Sequence, residues 1–251
     1  MTPIALQLYT LRDALQVDVP SVLTRVAEMG YVGVEPYGGL DYRTTAPLLK
    51  SLGLQVPAMH TNMLPLGDHR DDVLASAAAY GVKYVVNSYQ PPERFSTVDS
   101  IKALADQLNE SSRVMQENGC IMGYHNHDFE FVQVEGQVAY DVFVQHLDPA
   151  VILEVDVYWV KVGGYDPAVV VADLGARAPL LHIKDGSALK EDDMLAVGDG
   201  VINVPAVVNA GIGHTEWLIV ELDRYAGNMI DAVQRSYTYM TREGLADGRA
   251  G

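Results

Sequence analysis

The sequence is poor in cysteine, in positive charge and in long hydrophobic runs. A single cysteine, Cys120, among 251 residues excludes an internal disulfide and suits a reducing compartment. Placed just ahead of an apolar run, it reads as a buried structural thiol. No stretch approaches the roughly 18–20 apolar residues of a membrane span. The opening Met1-Thr2-Pro3-Ile4 has neither a basic region nor a secretory pattern, so a cytoplasmic protein without membrane contact is expected. Seventeen Lys and Arg stand against 33 Asp and Glu, a net charge of −16. A protein that grips a nucleic-acid backbone needs a basic patch to displace counterions, and here the basic residues are scattered. A nucleic-acid partner is therefore not expected. The phosphate-cradling G-x-G-x-x-G spacing is also missing, and Gly38-Gly39, Gly163-Gly164 and Gly198-Asp199-Gly200 read as turns.

What is present is regular alternation. Residues that are 49% hydrophobic are ample for a sizeable core. Strand-like segments at Ile4–Tyr9, Tyr31–Tyr37, Gln55–His60, Lys83–Ser88, Ile121–His127, Val151–Val157, Pro179–Ile183 and Trp217–Leu222 alternate with segments of helical periodicity. The helical segments are Val19–Met29, Thr44–Leu52, Asp71–Tyr80, Thr97–Glu117, Tyr140–His146, Pro167–Ala176, Val204–Ala210 and Met229–Glu243. No linker or repeat divides the chain. This pattern predicts an α/β protein, a single-domain (β/α)8 TIM barrel over residues 1–244, with 245–251 as a flexible tail. An open doubly wound sheet is the runner-up.

Barrel enzymes carry their sites on the face formed by the C-terminal strand ends, and the polar residues gather there. Tyr9, Glu35, His60, Asn87, His125, His127, Asp156, His182, Lys184, Glu221 and Asp223 all fall at or just past a strand end. The segment Leu153–Gly164 is the clearest case. Alternation puts Glu154 and Asp156 on one face and Leu153, Val155 and Val157 on the other, before a Gly-Gly turn. His125, Asp156, His182 and Glu221 suit one divalent cation, with mixed imidazole and carboxylate donors favouring Mn²⁺, Co²⁺, Zn²⁺ or Fe²⁺ over Ca²⁺. Each ligand would come from a different strand, so convergence in the fold carries this expectation. The bland alternatives are specific: Asp156 as a cap for the next turn, Glu221 paired with Arg224 or a lysine, Lys184 paired with Asp185 or another carboxylate. His69, His146 and His214 read as surface or structural residues. Trp159 could be core or a wall against a sugar face.

Seven segments together resemble the xylose isomerase-like barrels, often described as sugar phosphate isomerases/epimerases and related to the type IV apurinic endonucleases. They are LQLYTLRD (from Leu6), VEPYGG (Val34), YHNHDFEF (Tyr124), LEVDVYWVKVGGYDP (Leu153), LLHIKDG (Leu180), GDGVINVPAV (Gly198) and WLIVELD (Trp217). The resemblance implies one divalent ion, Mn²⁺ first, held by four strand-end residues. Asp156, His182 and Glu221 match the family's aspartate, histidine and final glutamate. The fifth-strand position departs: ketose 3-epimerases place a glutamate there, and this chain has His125. The His-x-His of His125 and His127 looks more like inosose dehydratases and lyases of 3-keto sugars.

The expected activity is a metal-dependent isomerase or epimerase of a keto sugar, beginning with removal of a proton α to a carbonyl. A keto-sugar or keto-inositol lyase is the alternative, and a non-catalytic sugar-binding barrel or a repair nuclease is more remote. Candidate catalytic residues are His125, His127, Glu154, Lys184 and Glu221, and the choice of base stays open. Tyr9, Glu35, His60, Asn87, Trp159 and Asp223 are the candidate substrate-binding residues. The expected partner is a small sugar, and a homo-oligomer is compatible with the relatives.

Overall fold

The eight barrel strands are β1 (Ile4–Gln7), β2 (Gly33–Glu35), β3 (Ala58–Thr61), β4 (Tyr84–Asn87), β5 (Ile121–His125), β6 (Ile152–Asp156), β7 (Leu180–Ile183) and β8 (Trp217–Val220). All their pairings are parallel, in the spatial order β2-β1-β8-β7-β6-β5-β4-β3. This computed structural model describes residues 1–249. Backbone bonds close the remaining seam: Val34 N–H donates to Gln55 O (2.9 Å), Gln55 N–H to Val32 O (3.1 Å) and His60 N–H to Pro36 O (2.8 Å). The chain is thus a nearly closed (β/α)8 barrel, as the alternation predicts.

All eight expected helices form, most within one or two residues of the expected bounds. Val19–Met29 shows why. Asp18 caps it by accepting from Ser21 N–H, and Val22, Leu23, Val26 and Met29 are buried on its sheet-facing side. It stops at Gly30, whose φ of 103° favours glycine. Thr97 and Ser100 form a reciprocal capping pair at the start of Val98–Glu117. Two helices were not expected: the short Arg12–Leu15, and Val157–Val162, which starts directly after β6. Among the described residues, no helix is long and apolar enough to cross a membrane.

Two apolar layers hold the barrel. The larger lies between the sheet and the helices, and a smaller plug of Ala5, Ala58, Tyr84, Val86, Ile152, Leu180 and Ile219 fills the barrel interior. Gly123 faces this plug, where an added Cβ would press on Ile152 (2.7 Å) and Val86 (3.2 Å). The plug floors the barrel, so His60, Glu154, His182 and Glu221, each two positions past a plug residue on the same strand face, are held toward the C-terminal end.

Two sequence expectations need correction. Cys120 is half-buried rather than buried, with partial burial pushing its thiol up. Leu245–Arg249, expected to fray, is tied down: Ala246 is buried, Asp247 N–H donates to Thr2 O (2.9 Å), Ile4 N–H donates to Asp247 O (3.0 Å), and the Arg249 guanidinium donates to Leu52 O (3.0 Å). Residues 250–251 lie outside the described residues.

Candidate metal and active site

Strand register brings the predicted residues side by side. His125 pairs with Glu154 across β5 and β6, Asp156 with His182 across β6 and β7, and Ile183 with Val220 across β7 and β8. Donor atoms of His125, Asp156, His182 and Glu221 lie within 4.8 Å of one another, all buried. This is the set expected from sequence. A second, overlapping group, His60, His125, Glu154 and His182, meets the same spacing.

The contacts are dense. His182 Nδ1 is 2.8 Å from Glu221 Oε2, and its Nε2 is 2.7 Å from Glu35 Oε2 and 3.2 Å from Glu154 Oε2. His125 Nδ1 is 3.0 Å from Glu154 Oε2 and its Nε2 is 3.6 Å from Asp156 Oδ2. His60 Nε2 is 2.5 Å from Glu154 Oε2. Lys184 Nζ lies 2.9 Å from Asp156 Oδ2 and 2.8 Å from both Glu221 Oε2 and Asp223 Oδ2.

Asp156 does two jobs. Its Oδ1 accepts from Tyr158 N–H (3.0 Å) and Trp159 N–H (2.9 Å), capping the helix Val157–Val162. Its Oδ2 faces the site, close to Lys184 but without a well-directed hydrogen bond. The capping alternative and the ligand expectation are therefore compatible. Lys184 leaves its neighbour Asp185 alone, and Arg224 turns to Asp192 O rather than to Glu221.

Burial and charge set the protonation. Burial, reinforced by His182, pushes His125 down to about 3, so its imidazole is neutral, as a ligand must be. Burial lowers His127 well below its usual value. Burial raises Asp156 to about 6 against the pull of Lys184 and His182. Burial also raises Glu35 to about 7, helped by Glu154. For Glu221, burial is outweighed by Lys184 and His182, which hold it well below the carboxylate range. For Lys184, burial is outweighed by Asp156, Asp223 and Glu221, so it stays charged.

Above these groups opens a cavity of about 750 Å³. Tyr9, His60, His125, His127, Lys184, Glu221 and Asp223 line it. Asp156 and His182 sit just behind His125 and Glu221, fully buried. Tyr9 packs edge-on against Tyr37 (5.3 Å, 86°), and the His127 ring stacks on Phe129 (5.3 Å, 7°).

Four expectations change. Asn87 lies on the helix side of β4, because the inward positions there are Tyr84 and Val86. It donates to Thr61 O and accepts from Gln90, and it does not reach the cavity. Glu35 and Glu154 are fully buried below the histidines and do not line the cavity either, which removes direct contact with substrate. Trp159 backs His127 (6.4 Å between rings) and lies 5.7 Å from Lys184 Nζ instead of forming a cavity wall. Sequence reasoning missed Gln7 as the partner of Glu35 (2.6 Å). Its place on the same face as Tyr9 was the available signal. It also missed Tyr37 and Tyr89 on the rim.

The donor set fits a borderline divalent ion: two imidazoles and two carboxylates, one at or just past the end of each of four adjacent strands, with Asp156 Oδ2 lacking a directed partner. No curated protein matches the sequence significantly. Solved structures do. A sugar phosphate isomerase/epimerase from Parabacteroides distasonis ATCC 8503 superposes with a TM-score of 0.86 at 24% identity, over 98% of this chain and 100% of that one. The probable 3-DHS dehydratase AsbF involved in petrobactin synthesis from Bacillus anthracis gives 0.75 at 13% identity, over 95% and 98%. The IOLI protein with a zinc atom gives 0.72 at 18% identity, over 98% of each chain. At these identities the likeness shows the fold. The family model described as xylose isomerase-like TIM barrel matches residues 23–242, and the chain belongs to that family.

Proposed function

We propose that the protein is a metal-dependent isomerase or epimerase of a small keto sugar, acting by proton transfer α to a carbonyl. The observation that carries this reading is the meeting of His125, Asp156, His182 and Glu221 at the floor of the cavity. These four would hold the ion, Mn²⁺ first, with Co²⁺, Zn²⁺ or Fe²⁺ as alternatives. When bound, it would supply Lewis-acid stabilisation of negative charge on adjacent sugar oxygens.

The chain's own groups divide the remaining work. Glu221, just past β8, and His127, just past β5, both line the cavity as unprotonated groups, so either can take the substrate proton and then return it as the acid it has become. Lys184, held charged among three carboxylates, steadies Glu221 at the cavity. Tyr9 and Tyr37 supply aromatic edges and faces against a sugar ring.

The substrate is read as uncharged. Lys184 is already matched by Asp156, Glu221 and Asp223. Arg12 donates to Tyr9 O and Asp223 O and lies over the Tyr9 ring, and Arg43 pairs with Asp41 (3.7 Å). None of these cations is left to receive a phosphate.

One observation favours elimination as a second reading. A symmetric pair of acids is lacking, because β5 presents His125 and His127 opposite Glu221. Unlike groups on the two sides suit loss of a β-substituent. Incubation of metal-loaded protein with keto sugars in D₂O tests both readings. Solvent deuterium at the carbon next to the carbonyl in an isomerised product supports the first. Loss of water or an aglycone moves the assignment to a lyase. No exchange with any keto sugar or keto-inositol rejects the proton-transfer reading.

A further inference from the structure

Two layers of carboxylates share the same two imidazoles. The upper layer faces one nitrogen of each ring: Asp156 Oδ2 is 3.6 Å from His125 Nε2, and Glu221 Oε2 is 2.8 Å from His182 Nδ1. The lower layer faces the opposite nitrogens. Glu154 Oε2 is 3.0 Å from His125 Nδ1, and Glu35 Oε2 is 2.7 Å from His182 Nε2. A neutral imidazole has one N–H and one lone pair. Each ring can therefore ligate an ion in one layer only, and must donate to the other.

The surroundings decide which. Glu35 Oε2 also accepts from Gln7 Nε2 (2.6 Å), and Gln7 is fixed in that orientation because its Oε1 accepts from Tyr9 N–H (3.0 Å). A cation at Glu35 Oε2 would have to displace this amide donor. Glu154 Oε2 is met by three imidazole nitrogens, from His60 (2.5 Å), His125 (3.0 Å) and His182 (3.2 Å). The lower carboxylates are fully buried on top of the apolar plug, whereas Glu221 opens to the cavity. The lower layer is placed to accept N–H donors, and the upper layer alone opens to the cavity, through Glu221.

The geometry points to Glu35 and Glu154 as positioning residues for the metal site. They lock His125 as its Nδ1–H tautomer and His182 as its Nε2–H tautomer, and so turn His125 Nε2 and His182 Nδ1 toward Asp156 and Glu221. The group His60, His125, Glu154 and His182, though spaced for an ion, is then an orienting shell. Carboxylates that accept the far N–H of metal-bound histidines fix ring orientation and strengthen the ligand. Gln7 extends the chain of contacts to Tyr9 on the cavity rim. This inference rests on the metal reading above.

The test reads nitrogens, with no need for a substrate. Wild-type protein labelled with ¹⁵N-histidine is loaded with Zn²⁺, and long-range ¹H–¹⁵N spectra assign the tautomer of each ring. Metal on His125 Nε2 and His182 Nδ1 is the expected result, and metal on the opposite nitrogens overturns the proposal. Co²⁺ titrations of wild type, Glu35→Gln and Glu154→Gln form the second arm. One Co²⁺ per chain is expected, bound about 10–100-fold more weakly in each variant with its visible bands unmoved. Two Co²⁺ per chain, the second lost in Glu154→Gln, would make the lower group an ion site and overturn the proposal. So would affinities within about twofold of wild type in both variants. If the wild type bound neither Zn²⁺ nor Co²⁺, the metal reading itself would fall and take this inference with it.

Discussion

Asp185 shows how one side chain can organise two motifs. Its Oδ1 accepts from Gly186 N–H (2.9 Å) and Ile202 N–H (3.0 Å), and its Oδ2 from Gly198 N–H (2.9 Å) and Gly200 N–H (3.1 Å). The loop Gly198-Asp199-Gly200 therefore wraps a buried carboxylate, and a Cβ on Gly200 would strike Asp185 itself. Hydrogen bonds to a charged acceptor contribute about 1.5–3 kcal/mol each and are not additive. Asp185→Ala should cost on the order of 3–5 kcal/mol in urea unfolding, and Asp185→Asn, which keeps one good acceptor, clearly less. A loss under about 1 kcal/mol in the alanine variant would show that the loop stands without it. Glu130 gives a pH-dependent counterpart. It is buried, accepts from Tyr124 Oη (2.7 Å) and His127 N–H (2.8 Å), and burial lifts it from 4.5 to about 8. The sign follows from linkage: between these values the unfolded chain has lost the proton and the folded one keeps it. Stability is then full below about pH 4.5 and is lost as pH rises through 8. The slope approaches about 1.4 kcal/mol per pH unit. Glu130→Gln should flatten that slope relative to wild type across pH 5–8. Parallel stability curves for the two proteins would refute it. Neither role was legible in the sequence. Glu130 lies in a 3-10 turn, Phe129–Phe131, where no period fixes a direction, and the partners of Asp185 are up to 17 residues away.

Strand alternation was legible wherever acids alternate with aliphatics, as in Ile152–Asp156. The alternation assigned Glu154 and Asp156 to one face, and the structure agrees. It could not assign depth. Two residues along a strand is roughly 7 Å, enough to set Glu154 in the lower layer and Asp156 in the upper. Only the position of the apolar plug says which is which. In β4 the run Tyr84-Val85-Val86-Asn87 carries no phase, so nothing in it tells that Asn87 faces the helices. Helices were read from their period, and Thr97–Glu117 falls within a residue of the observed Val98–Glu117. Val157–Val162 was missed because its cap, Asp156, also reads as the end of a strand. This double use allows a clean separation of roles. Asp156→Asn keeps an oxygen for Tyr158 N–H and Trp159 N–H but removes the carboxylate from the ligand set. It should lower unfolding stability only through the partner lost to Lys184, while metal content falls well below one per chain. Asp156→Ala loses the cap as well and should cost about 0.5–2 kcal/mol more. Elemental analysis and denaturant titration of the pair check this, and full metal content in Asp156→Asn would remove Asp156 from the ligands.

The charge of −16 acts on everything that approaches the cavity. Its range is set by the Debye length, about 10 Å at 0.1 M salt and about 30 Å at 0.01 M, so at low salt an anion meets the whole acidic surface before it meets the site. At the site Lys184 is matched by Asp156, Glu221 and Asp223, while Arg12 donates to backbone carbonyls and the exposed Arg43 sits beside Asp41. A divalent ion held by Asp156 and Glu221 would cancel charge that those two already carry. Long-range field and local pairing therefore agree in disfavouring a phosphorylated sugar, although relatives of the same fold bear that name. Calorimetric titration of metal-loaded protein with a ketose and with its phosphate ester decides the point. The neutral sugar should bind with an affinity that barely responds to ionic strength. The ester should bind on the order of tenfold more weakly at about 0.01 M salt, with the gap narrowing as salt screens the field. An ester that binds more tightly than the neutral sugar, and loses affinity as salt is added, would reveal a free cationic site and reverse the assignment of an uncharged substrate.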